Sequence, residues 1–122
     1  MATRTAAAMG RLGEDLALGF FTACGYECLA RRYRRAGGEV DLIVARTHLI
    51  IFVEVKTRGP GSWTPAHAAV TAAQLRRLRG AARAWLAEQP APPSTDLRCD
   101  VVAIQFGGEG RGVVLRHFPA VG

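Results

Sequence analysis

Lysine is almost absent from this sequence: among its 16 basic residues only Lys56 is a lysine, and the others are arginines. Long apolar runs are absent too, since none reaches the roughly 18 residues that would predict a membrane span. The N-terminal segment carries Arg4 and Arg11 without a long apolar stretch after them, so it does not read as a secretory signal. We therefore expect a cytoplasmic protein without a membrane partner.

Cysteine occurs three times, at Cys24, Cys28 and Cys99, an odd number without paired metal-ligand spacing. This count is atypical of a disulfide framework. It indicates that the cysteines serve as small apolar residues in a reducing compartment. A zinc site built on the Cys24 and Cys28 pair is the alternative.

Positive charge is abundant: the formal net charge is +6 and the pI is about 10.2. Such a surplus suits a polyanionic partner, and the planar guanidinium suits phosphate. The alternative is a compositional bias toward arginine with solvated faces. The arginines cluster at Arg31, Arg32, Arg34 and Arg35 and again at Arg76, Arg77, Arg79 and Arg83.

The 122 residues predict a single domain, 1–122, with flexible ends at 1–7 and 119–122. Helical spacing predicts a first helix from about Ala8 to Cys24, capped by Gly25, and a second from Thr64 and Pro65 to about Glu88. Strands are predicted at 26–35, 39–46, 48–57, 98–106 and 113–118. The order α-β-β-β-α-β-β predicts a mixed β-sheet flanked by helices, which cover the apolar run 49–53 on both faces.

Four charged residues interrupt the apolar strands: Glu39 and Asp41 on one, Glu54 and Lys56 on the next. Side chains two residues apart share a face of a strand, so each pair should project together. If the two strands form a hairpin, Asp41 and Glu54 lie adjacent, and two carboxylates beside a lysine indicate a site for Mg²⁺. A solvated ion pair at a strand end is the alternative.

Magnesium prefers oxygen ligands and keeps several waters. Asp41, Glu54 and the backbone carbonyl of Val55 would supply the protein ligands, and phosphate and water the rest. Lys56 would steer the attacking water or stabilise charge on the phosphate oxygens.

The segments "RLGEDLA", "GGEVDLIV", "LIIFVEVKTR" and "RCDVVAI" resemble the YraN-like family of small bacterial proteins, described as uncharacterised or as predicted endonucleases. That family is similar to PD-(D/E)xK nucleases, close to archaeal Holliday junction resolvases. The resemblance runs from about Gly10 to Ile104. It implies a restriction-endonuclease-like core, cleavage of DNA with Mg²⁺ or Mn²⁺, and a homodimer.

Residue by residue, the resemblance makes Asp41 the first metal aspartate, Glu54 and Lys56 the acid and lysine of the motif, and Glu14 the helix-one glutamate that reaches the metal. Without it, Glu14 would be a solvated residue in an early helical turn. Glu39 either supports the site or faces the open side of the hairpin. Gln74 stands where relatives carry a lysine, and either positions polar groups or faces solvent.

Arginines near these motifs complete the predicted site. Arg58 either grips a flanking phosphate or forms a salt bridge in a loop. Trp63 either stacks on an unpaired base or caps the core. The residues predicted to bind nucleic acid are Arg58, Arg34, Arg35, Arg76 and Arg77.

The leading hypothesis is therefore a metal-dependent DNA endonuclease, with branched DNA as the first expected substrate by analogy. The rival hypothesis is a non-catalytic nucleic-acid-binding module that keeps the nuclease fold. A third is an interaction protein whose acidic cluster binds a metal for structural reasons.

Overall fold

The computed structural model describes residues 5–35, 37–61, 70–90, 95–108 and 112–121. Its elements are α1 (Ala6–Ala23), β1 (Glu27–Arg35), β2 (Gly38–Arg46), β3 (Leu49–Arg58), α2 (Ala72–Glu88), β4 (Asp96–Phe106) and β5 (Val113–Phe118). The predicted order of helices and strands is confirmed, and so is a mixed α/β fold.

The strands form one five-stranded sheet in the order β1-β2-β3-β4-β5. Neighbouring strands are antiparallel except β3 and β4, which are parallel. A parallel pair needs a long crossover between its strands, and α2 lies in that connection. The sheet is therefore mixed, as its sequence predicts.

The central strand β3 is buried on both faces. Ile51 and Val53 belong to the core under α1, which includes Phe21. Phe52 packs under α2, where its ring lies 5.9 Å from that of Trp85 in an edge-to-face arrangement. This confirms the expectation that helices cover the apolar run 49–53 on both sides.

Helix α1 ends as predicted, at Cys24 and the left-handed Gly25, whose φ is 89°. The predicted start of the second helix, at Thr64 and Pro65, falls outside the described residues. Helix α2 itself begins at Ala72, because the preceding Thr71 is extended (φ −85°, ψ 163°) and its side chain accepts a hydrogen bond from the backbone N–H of Gln74. The predicted start is therefore wrong for α2.

Helix α2 packs closely against the beginning of β2. A methyl group added at the buried Gly38 would overlap the backbone carbonyl oxygen of Arg77. Only a residue without a side chain allows this approach, which brings the first half of α2 next to the acidic end of β2. Neither of the two described helices is long and apolar enough to cross a membrane.

The C-terminal residues fold back along β4. The backbone N–H of Ala120 donates to the Asp100 carboxylate at 3.0 Å, and that of Val121 donates to the carbonyl of Cys99 at 2.8 Å. Flexibility of 119–122 stays a prediction.

Candidate functional site

The ladder between β2 and β3 ends where the charged residues begin. Its last pair is Leu42 with Val53, so Asp41 and Glu54 are the next residues of their strands. Beyond this pair the Asp41 carboxylate accepts a hydrogen bond from the backbone N–H of Val55 at 2.8 Å. The side chain of Asp41 thus bridges to β3 and lies within electrostatic reach of Glu54.

Asp41 is one of two buried acidic residues among those described, with 8% of its surface exposed. Burial, and next the negative charge of Glu54, raise the pKa of Asp41 to about 8, although the hydrogen bond from Val55 acts to lower it. The charges of Glu14 and Glu39 add to the same repulsion. Four carboxylates thus act together at this edge of the sheet.

Glu54 and Lys56 lie on the face of β3 that α2 covers, since they continue the alternation of Ile50 and Phe52. Their side chains are 3.3 Å apart, and each is less than one fifth exposed. Burial raises the pKa of the Glu54 carboxyl, although the charge and hydrogen bond of Lys56 oppose that shift. The predicted pairing of this acid with this lysine is present in the structure.

Most of the predicted site residues line one open cavity of about 640 Å³ between α2 and the ends of β1, β2 and β3. Its described lining contains seven of them: Arg34, Arg35, Glu39, Glu54, Lys56, Gln74 and Arg77. The other five, Asp41, Glu14, Val55, Arg58 and Arg76, are not among the lining residues. Asp41 reaches the site through its contact with β3 instead.

The alternation of faces that the sequence predicts for β2 is interrupted at Asp41. Val40 and Ile43, three residues apart, both belong to the core under α2, whereas Leu42 belongs to the core under α1. A regular strand would have turned Val40 and Leu42 to the same face. The regular alternation on which the prediction of a shared face for Glu39 and Asp41 depends is therefore absent here, and Glu39 lines the cavity whereas Asp41 does not.

Glu14 approaches the site from α1. The neighbouring Gly13 is buried so closely against Thr57 of β3 that an added methyl group would overlap its side chain. The Glu14 carboxylate, 15% exposed, accepts a hydrogen bond from Nε of Arg32 at 2.7 Å. Its charge raises the pKa of Asp41, so Glu14 lies within electrostatic reach of the site although it does not line the cavity.

The family of this chain is shown by comparison with known sequences. A model for "Uncharacterised protein family UPF0102" matches residues 13–104. The chain belongs to UPF0102. This is the YraN-like family that the sequence motifs resemble.

Three UPF0102 relatives illustrate the similarity. A UPF0102 protein of Mycolicibacterium gilvum is 41% identical over 122 residues, covering 98% of each chain. One of Rhodococcus opacus is 48% identical over 101 residues, covering 82% of this chain and 84% of the relative. One of Roseiflexus castenholzii is 39% identical over 111 residues, covering 91% of this chain and 90% of the relative. The matches span nearly the whole fold, including the residues of the cavity.

Gln74 has a structural task in this UPF0102 chain. Its side-chain oxygen accepts from the backbone N–H of Thr71 at 2.9 Å, while its own N–H donates to the Thr71 hydroxyl at 3.1 Å. Together these bonds form the capping box that starts α2. The sequence Thr-Ala-Ala-Gln at 71–74 carries that signal, which the sequence analysis missed. Gln74 also lines the cavity, so it is not simply solvent-exposed.

The predicted nucleic-acid-binding arginines differ in what they contact. Arg34 pairs with Glu39 at 3.2 Å, and the guanidinium of Arg35 lies 5.0 Å from the centre of the Tyr33 ring. The positive charge of Arg77 acts to lower the pKa of Glu54, so Arg77 interacts electrostatically with the acid that pairs with Lys56. Arg58 donates to the carbonyl of Thr57, and Arg76 is exposed. Trp63 lies outside the described residues.

The donor set fits a cation that keeps part of its water shell. Asp41 and Glu54 directly follow the last pair of the β2–β3 ladder, and the backbone of Val55 is next to them, since its N–H donates to Asp41. Within the described ranges, no group of three or more histidine, cysteine, aspartate or glutamate side chains is arranged to hold a metal ion. Magnesium is commonly held by one or two carboxylates together with waters and substrate phosphates, so two carboxylates and a carbonyl are a sufficient protein share.

Proposed function

We propose that this UPF0102 chain is a DNA endonuclease with a restriction-endonuclease-like core that hydrolyses phosphodiester bonds with Mg²⁺ or Mn²⁺. The observation that carries the proposal is the acidic end of the β2–β3 hairpin, where Asp41 and Glu54 are held together beside Lys56. The repulsion that raises the pKa of Asp41 is the charge imbalance that a divalent cation would relieve. The mixed sheet with a helix on each face supports the fold assignment.

Each residue has a defined role in this proposal. Asp41, Glu54 and the carbonyl of Val55 would hold the cation, which would supply Lewis-acid polarisation of the phosphate and a more acidic bound water. Lys56 donates hydrogen bonds to the attacking water or to a non-bridging phosphate oxygen, where negative charge develops. Water attacks phosphorus and loses a proton to solvent, the bond to the leaving oxygen breaks, and that oxygen takes up a proton from solvent, so that one water is consumed for each bond cleaved.

The arginines at the mouth of the cavity supply the proposed binding surface. Arg34, Arg35 and Arg77 line the same cavity as Glu54 and Lys56, so a phosphodiester backbone in the cavity would meet positive charge on two sides. Branched DNA is the proposed substrate by analogy with resolvases. Arg58 and Arg76, which do not line the cavity, would contact the backbone farther from the reacting phosphate.

A second candidate function is a nucleic-acid-binding module without turnover. Gln74 favours it, because this side chain is engaged in the α2 capping box and adds no positive charge to the cavity that it lines. This candidate predicts binding with a steep salt dependence, no cleavage, and little change on Lys56→Ala.

The deciding experiment is a cleavage assay with Mg²⁺ or Mn²⁺ on labelled duplex, single-stranded, flap and four-way-junction DNA. We expect Asp41→Asn and Lys56→Ala to lower the rate by about 10²-fold or more, since each removes a group that acts on the reacting phosphate. Asp96→Asn is the matched control, because Asp96 is an exposed acid that pairs with Leu49 at the opposite end of β3. Equal cleavage by all variants would indicate a contaminating nuclease, and tight binding without cleavage would favour the binding module.

A further inference from the structure

Arg32 has an unusual backbone for an arginine in a strand. Its φ is 49°, in the left-handed region that residues other than glycine seldom adopt. Ala30 and Tyr33, on either side of it and three residues apart, both contact the core under α2. The left-handed residue thus interrupts the alternation of β1, as Asp41 interrupts that of β2.

The two interruptions face each other. The pairs Arg31 with Leu42 and Tyr33 with Val40 bracket Arg32 and Asp41, which makes these two residues cross-strand neighbours. The break in β1 also lets two successive arginines reach α1: Arg31 contacts Asp15 at 2.6 Å and Arg32 contacts Glu14 at 2.7 Å. In a regular strand, successive side chains would point to opposite faces.

The guanidinium of Arg32 acts on both acids of this side of the site. Its Nε donates to Glu14, and its positive charge also attracts Asp41. Lys56, by contrast, contacts Glu54 on the side that α2 covers. Within the described ranges, Arg32 is the cation whose hydrogen bond and charge link Glu14 to Asp41.

We propose that Arg32 is a resident counter-ion of the metal site, which pairs with Glu14 beside Asp41 when no divalent cation is bound and gives up Glu14 when one binds. Backbone strain that the surrounding strands maintain is a marker of functional positions. A positive charge so close to the acids makes cation binding weaker than the acids alone would allow. The inference rests on the cation site of the proposed function, but not on cleavage.

The test is Mn²⁺ binding, measured by electron paramagnetic resonance and by the Mn²⁺-induced rise in melting temperature, on full-length protein stripped of metal. We expect Arg32→Gln to lower the melting temperature in chelator, to enlarge the rise caused by Mn²⁺, and to tighten Mn²⁺ binding about three- to tenfold. Arg31→Gln is the matched control, since Arg31 contacts mainly Asp15 and lies 3.9 Å from Glu14. Its Mn²⁺ affinity should stay within about twofold of wild type.

Arg32→Lys separates charge from geometry. It keeps the positive charge, so its Mn²⁺ affinity should lie closer to wild type than to Arg32→Gln. Unchanged or weaker Mn²⁺ binding by Arg32→Gln would overturn the proposal, and weaker binding would mean that Arg32 positions Glu14 as a ligand. Circular dichroism in chelator identifies any variant that fails to fold. If Arg32→Gln fails to fold, Arg32→Lys decides, because an Mn²⁺ affinity unlike that of the wild type would also overturn the proposal.

The outcomes also separate this inference from the proposed function. Wild-type protein that binds Mn²⁺ but cuts no DNA would refute the endonuclease and leave the role of Arg32 standing. Cleavage by wild type, with Arg32→Gln binding Mn²⁺ as wild type does, would refute the counter-ion alone. Absence of Mn²⁺ binding by wild type would refute both.

Discussion

Two aspartates are the buried acids of the described residues, and they are held in opposite ways. Asp100 on β4 is fully buried and accepts hydrogen bonds from Nε and Nη2 of Arg98 at 2.8 Å each, from Nε2 of His117 at 2.7 Å and from the N–H of Ala120 at 3.0 Å. Asp41 on β2 accepts one described hydrogen bond, from Val55, and is repelled by three other carboxylates.

Burial acts in the same direction at both residues, so the partners make the difference. At Asp100, burial alone would raise the pKa, but hydrogen bonds from Arg98, Ala120 and His117 lower it below its usual value. At Asp41, burial and the charge of Glu54 together raise the pKa to about 8. A carboxylate with complete partners holds the fold together, whereas one without them is a candidate for binding a cation.

The largest expected effect follows from disrupting the hydrogen bonds and charge pairing of Asp100. Asp100→Asn should lower the free energy of unfolding by about 3 kcal/mol, because it leaves Arg98 and His117 without their buried counter-charge. Urea denaturation at pH 7 measures this. A loss below about 1 kcal/mol would mean that the network contributes no more than an ordinary surface substitution, and the contrast with Asp41 would disappear.

The same substitution at Asp41 should have the opposite sign. Asp41→Asn keeps an oxygen that can accept from Val55 and removes the repelled charge, so metal-free protein should gain about 1 to 2 kcal/mol at pH 8. Urea denaturation in chelator checks this, with Asp96→Asn as the exposed control. Destabilisation of the metal-free protein would show that the Asp41 charge is already balanced.

Stability should also depend on pH in opposite directions. The folded pKa of Asp41 is raised, so its contribution is fully present below its unfolded value of about 3.8 and is lost as the pH rises through about 8. The folded pKa of Asp100 is lowered, so its contribution is present above about 3.8 and is lost as the pH falls.

Melting temperature in chelator between pH 4 and 8 measures the first window. The melting temperature of the wild type should fall toward pH 8. It should fall less in Asp41→Asn, and it should also fall less in the wild type when Mn²⁺ replaces the chelator. Identical curves for wild type and Asp41→Asn would contradict the raised pKa of Asp41.

The smallest expected effect tests how much of the raised pKa of Asp41 is caused by the charge of Glu54. Glu54→Gln removes the second contribution to the raised pKa of Asp41, so the decline should move to lower pH and become shallower. The pH profile of the melting temperature checks the direction. A decline that stays in place would assign the shift to burial alone.

Most of the fold could be predicted because it follows local patterns. The near-continuous apolar run 49–53 located β3, and the ladder bears out the hairpin of β2 and β3 that carries Asp41 and Glu54 just beyond its last pair. The predicted start at Thr64 and Pro65 is wrong for α2, because the capping box of Thr71 and Gln74 begins this helix. That signal was present in the sequence.

The electrostatics of the site depend on contacts that local patterns do not encode. The left-handed backbone of Arg32 interrupts a strand whose sequence reads as regular, and only the pairing of β1 with β2 sets it opposite Asp41. The contrast between Asp41 and Asp100 is similarly non-local, because Asp100 owes its partners to β5 and the C-terminal residues.

The most direct test of a cation site at Asp41 is the number of protons released when Mn²⁺ binds at pH 7, measured by calorimetry in buffers of different ionisation enthalpy. With a pKa of about 8, Asp41 is largely protonated at that pH, and the ion must displace the proton. We expect release of close to one proton per Mn²⁺ by wild type and by folded Asp100→Asn, and markedly less by Asp41→Asn. Binding of Mn²⁺ by wild type without proton release, or equal release by Asp41→Asn, would contradict it.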